Sequence, residues 1–204
     1  MHFWFFICIL GAIAVVPAHF LSVEHIKLQD RYGKNKGKKI GEILGLISGW
    51  GFFLFWIGIW ISPQPRFTLP LFQNLTALIP IVGFSIPLLN LILSLPFITM
   101  GAYLGIFGVK QTTMKVAEIH RTEKIVNTGL YSKARHPQYL GGLLAHIGVS
   151  LLLSSLFSLL ITPMIILLIY LVSKKEEKEL MREFREAYKN YKKNVPMFIP
   201  KVCH

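Results

Sequence analysis

The chain has 204 residues, a formal net charge of +12, 53% apolar residues and a mean hydropathy of +0.52, with its charge confined to a few segments. This composition predicts an all-α integral membrane protein, a polytopic helical bundle, and argues against a soluble domain. The basic excess does not read as nucleic-acid binding, since no basic helix face carries interleaved aromatics, and Cys8 and Cys203 set up neither a disulfide framework nor a metal site.

Met1 to Val23 is an apolar run interrupted only by His2, His19 and small polar residues. Without a basic leading region or a small-residue cleavage site, it is expected to be a retained span over 3–23 and not a signal peptide. A second uncharged run predicts a span over 42–62. Leu69 to Val109 holds 41 residues and four prolines, Pro70, Pro80, Pro87 and Pro96, and has room for one crossing or two. One crossing, over 80–106, puts the segments 24–40, 110–138 and 173–204 on a single face, where they carry 21 of the 22 Lys and Arg residues. Only Arg66 is left opposite, as the positive-inside rule expects of a cytoplasmic face. Gly101 and Gly105 in this span fit close packing against another helix.

Leu140 to Val172 contains no Lys, Arg, Asp or Glu. Its 33 residues are too many for one straight crossing and suit two short ones, over 138–155 and 160–175. Five spans result, with the N-terminus outside and the C-terminus and candidate site cytoplasmic. The basic excess then serves topology and contact with anionic headgroups.

Two polar signatures bracket that hairpin. Before it, Thr128, Gly129, Leu130 and Tyr131 form an expected turn, followed by Arg135, His136, Pro137, Gln138 and Tyr139. Pro137 suits the first turn of a helix, whose N-terminus attracts anions, and Arg135 adds a bidentate partner for carboxylate or phosphate. Interface anchoring by Arg135, Tyr131 and Tyr139 is the plainer alternative. After the hairpin, Glu176, Glu177, Leu180, Phe184, Tyr188 and Tyr191 have the spacing of an amphipathic helix continuing into the cytoplasm. Its charges are either solvated decoration or, at the point where a span leaves the bilayer, ligands for a ribose diol or an ammonium group.

This ordered set resembles the integral membrane methyltransferases that include the isoprenylcysteine carboxyl methyltransferases and phospholipid N-methyltransferases. The resemblance covers about 80 residues, from Ile125 through the Arg135-His136-Pro137 motif and the hairpin to Glu176, Glu177, Val195, Pro196 and Pro200. It implies S-adenosylmethionine as methyl donor and a division into N-terminal membrane helices, 1–109, and a methyltransferase core, 110–204. Within it, Gly129, Tyr131, Arg135, His136, Pro137, Tyr139, Glu176 and Glu177 would bind the donor. Arg135 would take the methionyl carboxylate, Glu176 and Glu177 the ribose hydroxyls or amino group, and Tyr131 or Tyr139 the sulfonium. His136 would be the base for an amine or thiol acceptor, making Arg135 and His136 the catalytic candidates.

The chain departs from the family pattern at several positions. Glu123 stands where many members have a histidine, with His120 nearby; Arg185 replaces a common glycine; Met197 replaces a common arginine; and Gly101, Gly105 and Gly108 lack the Gly-x-Gly spacing of the phospholipid branch. A lipidic acceptor is implied, a prenylcysteine-type carboxylate or a phospholipid amine, with small thiols and quinone-like lipids also open. The competing readings are a sterol-reductase-like membrane enzyme that binds NADPH and a non-enzymatic lipid-binding scaffold.

Overall fold

The computed structural model describes residues 2–69, 75–79, 84–113 and 124–200. The first apolar run is two helices, α1 (Phe3–Ala14) and α2 (Val16–Val23), divided at Val15 where Pro17 removes a backbone donor from the ladder. A short helix, α3 (His25–Tyr32), ends at Gly33, whose φ of 81° turns the chain into α4 (Lys34–Ile61). The turn works only because Gly37 has no side chain: a Cβ there would lie 2.4 Å from the Leu28 carbonyl oxygen.

The region before the third long helix departs from the all-α expectation. Thr76–Ile79 (β1) and Phe84–Pro87 (β2) pair as an antiparallel ribbon, Thr76 opposite Pro87. Pro87 then caps α5 (Leu88–Thr112), so this helix is shifted toward the C-terminus relative to the expected 80–106. The second long helix is likewise offset, starting at Lys34 because its basic first turns remain helical.

Downstream, a 3-10 turn (Gly129–Ser132) leads to α6 (Pro137–Leu152), a short connector α7 (Leu156–Leu160) and α8 (Thr162–Asn194). Pro137 opens α6 as expected of a first-turn proline. Helices α5 and α6 meet almost backbone to backbone. A Cβ on Gly101 would sit 2.7 Å from the Ala145 nitrogen, and one on Gly141 2.7 Å from the Gly105 nitrogen. A Cβ on Gly105 itself would meet nothing within 4 Å, so Gly105 contributes its backbone and Gly101 and Gly141 the clearance. Helix α8 is interrupted at Arg185, held at φ 46° and ψ −119°, a region that glycine enters at lower cost. The residue that replaces the family glycine is thus in a glycine-like conformation.

The bundle has two polar ends. At one, His2 contacts the Pro63 carbonyl, Arg66 reaches Ser155 and the Leu153 carbonyl, Asn90 donates to Ser154 Oγ at 2.9 Å, and Gln64 accepts from the Ser158 amide. Just inside it, His146 Nδ1 accepts from the indoles of Trp56 and Trp60 while Nε2 faces the Ser158 carbonyl. The other end gathers the end of α2, Thr112 of α5, the start of α6 and the middle of α8. The segments Phe3–Val23, Lys34–Ile61 and Leu88–Thr112 are long and apolar enough to cross a membrane. At 16 residues α6 is about 24 Å long, and α8 becomes charged at Lys174, so the two hairpin helices do not share that length and apolarity.

Candidate active site

The second polar end is built where α6 begins and α8 loses its apolar character. Non-helical backbone before Pro137, with His136 at φ −125° and ψ 58°, lets the amides of Arg135 and His136 donate to the carbonyls of Pro196 and Met197, at 2.9 and 3.0 Å. The chain after α8 is thereby laid across the start of α6. The Arg135 guanidinium completes the fastening. Its Nε donates to Glu177 Oε1 at 2.7 Å, and Nη1 donates to the carbonyls of Val195 and Lys192.

Glu177 is the electrostatic centre of this knot, only 2% exposed and facing three cationic or titratable groups. Arg135 holds Oε1, His136 Nε2 lies 3.3 Å from the same oxygen, and Lys192 Nζ is 2.7 Å from Oε2. Burial alone would raise its pKa, but the hydrogen bonds from His136, Arg135 and Lys192 outweigh it and pull the carboxyl down to about 2.

Glu176 behaves differently although it is the adjacent residue. One helical step turns it away from Arg135 and onto the wall of a cleft, with Glu179, Leu180 and Glu183 following on the same helix face. The Tyr139 hydroxyl donates to its Oε1, and His136 Nδ1 lies 3.7 Å from its Oε2. The His136 and Tyr139 rings stack at 5.6 Å, so imidazole, phenol and carboxylate hold one another in place. Opposite stand Tyr131, Gln138 and Thr112, joined through Gln138 Nε2, which donates to the Tyr131 and Thr112 oxygens at 2.8 Å each. Burial lifts the Tyr131 phenol to about 12 and raises Tyr188 and Tyr191 as well, so all three stay neutral.

The expected turn at Gly129 is present, with φ 58°, and the next amide, Leu130, donates to Gln111 Oε1 at 3.0 Å. Arg135, His136, Tyr139, Glu176 and Glu177 are therefore brought into direct contact, with Tyr131 across the cleft and Gly129 and Pro137 shaping the backbone. His120 and Glu123, the alternatives for the family histidine, lie outside the described residues. Sequence reasoning passed over His19, whose Nε2 is 3.5 Å from Glu176 Oε1, the Glu24–Lys175 ion pair beside it, and Lys192. His19 had a visible signal as a polar residue inside the first apolar run. Lys192 had none, because it lies in a charged helix where any lysine would look solvated.

A phospholipid methyltransferase family profile matches residues 81–189, more than half of the chain, and takes in the hairpin and most of the residues just described. The chain belongs to the phospholipid methyltransferase family. It is similar to a protein-S-isoprenylcysteine O-methyltransferase of Schizosaccharomyces pombe, 27% identical over 117 residues, which are 53% of this chain and 49% of the relative. It is also similar to a methanethiol S-methyltransferase of Pseudomonas deceptionensis, 33% identical over 102 residues, 50% of this chain and 38% of that one. The matches thus span about half or less of these curated relatives. No solved structure matches the chain.

Proposed function

We propose that this chain is an integral membrane S-adenosylmethionine-dependent methyltransferase whose donor and acceptor meet in the cleft between α6 and α8. The reading is carried by one observation: the Arg-His-Pro motif and the paired glutamates, far apart in sequence, touch each other at the edge of a cleft within a family of methyltransferases. The donor set fits the group chemically. Glu176, Glu179 and Glu183 line the cleft, Glu179 paired with Arg182, and such carboxylates suit ribose hydroxyls and an ammonium group, while Tyr131 and Tyr139 offer aromatic rings to a cation.

S-adenosylmethionine supplies an activated methyl on a sulfonium, so the protein's task is to align the acceptor and hold both reactants still. Glu176 would take hydroxyl or ammonium hydrogens. Arg135, which also lines the cleft, would attract the donor's carboxylate together with the N-terminus of α6. Glu177 would act from behind, keeping Arg135 and His136 in position, and Gly129 and Pro137 would shape the approach. His136 would accept the proton of an amine or thiol acceptor and be dispensable for a carboxylate.

The hairpin helices α6 and α8 complete five crossings in this reading, with the first part of α8 as the fifth span and its remainder an amphipathic cytoplasmic helix. Support comes from the alternation of the helices between two polar ends: His2 and the 153–155 bend are at one, the basic segments and the cleft at the other. The N-terminus is then outside and the site cytoplasmic. Residues 1–109 form the membrane-helix part and 110–204 the methyltransferase core. The acceptor is an amphiphile entering from the bilayer, a prenylcysteine-type carboxylate or a phospholipid amine. The methanethiol S-methyltransferase relative favours a thiol as the second reading.

Calorimetry on detergent-solubilised protein tests the assignment. Saturable binding of S-adenosylhomocysteine is expected; binding of NADPH alone would favour a reductase, and binding of neither a lipid-binding scaffold. Incubation with methyl-labelled donor and a total lipid extract, followed by identification of the labelled species, gives the acceptor.

A further inference from the structure

Glu176 is the carboxylate that this reading offers to the donor, and a residue from another part of the chain stands beside it. His19 lies in α2, outside the segment 81–189 that matches the family, yet it packs against α8 and is only 2% exposed. Placing an imidazole inside an apolar helix costs free energy unless its polar edge is used. That edge points at the site: Nε2 is 3.5 Å from Glu176 Oε1, the oxygen that also accepts from the Tyr139 hydroxyl. The other oxygen, Oε2, faces His136 Nδ1 at 3.7 Å. The carboxylate thus lies within ion-pair distance of two imidazoles, with the Tyr139 hydroxyl bonded to one of its oxygens.

Neighbouring contacts make this placement reproducible. Phe52 of α4 sets its ring edge-on to His19 with centroids 6.0 Å apart, and Ser22 Oγ donates to the His19 carbonyl at 2.7 Å. One turn further on, Glu24 pairs with Lys175, the residue just before Glu176, so α2 and α8 are tied in register. Hydrogen bonds from Lys175 and then Lys27 lower the Glu24 pKa, keeping that tie charged at neutral pH.

We propose that His19 is a positioning residue for the methyl donor: its Nε2 edge aims the Glu176 carboxylate into the cleft, so the N-terminal helices form part of the donor site. This rests on the donor assignment above. A histidine acting through Nε2 is mimicked by glutamine, whose amide reaches about as far, and not by asparagine, which matches Nδ1. His19→Gln should therefore retain affinity for S-adenosylhomocysteine within about two-fold, while His19→Asn and His19→Leu weaken it about ten-fold, the loss expected of one polar contact to the carboxylate. The maximal turnover rate should change less than the donor KM. In a Glu176→Gln background, His19→Leu should have little further effect, because the residue through which it acts has been altered.

The test is calorimetric titration of S-adenosylhomocysteine into the full chain in detergent, with thermal melting to verify folding. Glu24→Gln serves as the control that loosens the same helix contact without touching Glu176. Equal affinities for the glutamine and asparagine variants, or the same effect of His19→Leu with and without Glu176, would overturn the proposal while leaving the methyltransferase reading intact. Loss of binding in Glu24→Gln equal to that in His19→Asn would also overturn it, by showing that only helix packing matters. Failure of the unaltered protein to bind would remove both readings.

Discussion

Replacing Glu177 by glutamine probes the knot that holds the site together. The change keeps the shape and one acceptor oxygen but removes the charge that Arg135, His136 and Lys192 surround. A carboxyl lowered from its usual 4.5 to about 2 is stabilised in the folded state by roughly 3 kcal/mol, at about 1.4 kcal/mol per pH unit. The sign follows from the direction: the folded state prefers the ionised form, so this stability is present above pH 4.5 and is lost as pH falls toward 2. At pH 7, Glu177→Gln should therefore lower the melting temperature by roughly 6–12 °C in detergent, using about 2–4 °C per kcal/mol for a chain of this size. As pH falls from 4.5 toward 2 the unaltered protein should approach the variant, since the unfolded chain takes up a proton that folded Glu177 still refuses. Melting curves of both proteins over that range provide the assay. A difference below about 2 °C at pH 7, or one that does not shrink on acidification, would refute the account of Glu177 as a buried ionised anchor.

Three further outcomes follow from backbone geometry. Arg185→Gly should raise stability by about 1–3 kcal/mol, read as a higher melting temperature, because φ 46° with ψ −119° is costly for any residue with a side chain. Gly101→Ala should destabilise by about 1–3 kcal/mol through overpacking against the Ala145 backbone, whereas Gly105→Ala, with open space at its Cβ, should be neutral or slightly stabilising. Melting the two alanine variants side by side separates clearance from helix propensity. Gly129→Ala should cost about 1 kcal/mol from its φ of 58° and weaken S-adenosylhomocysteine binding, since the added methyl displaces Gln111 from the Leu130 amide; unchanged melting and affinity would show that the turn adapts.

Much of this protein was legible from local chemistry. Long uncharged runs have no stable place in water, so the three long helices follow from composition, and Pro137 marked the start of α6 because proline suits a first turn. The adjacency of Arg135, His136 and the glutamates followed from reading the apolar stretch between them as a helical hairpin. Other features depended on partners far away in sequence. The ribbon of Thr76–Ile79 with Phe84–Pro87 and the later start of α5 come from cross-strand pairing that proline-rich apolar sequence does not announce. Glu176 and Glu177 are identical residues side by side, and only the rotation of α8 against α6 decides that one faces the cleft and the other is buried under Arg135. His19 and Lys192 acquire roles for the same reason. A side chain's type says what it can bond, but the charges it meets, and hence whether it anchors, aims or stays solvated, are set by the packing of helices that composition alone leaves free to rotate.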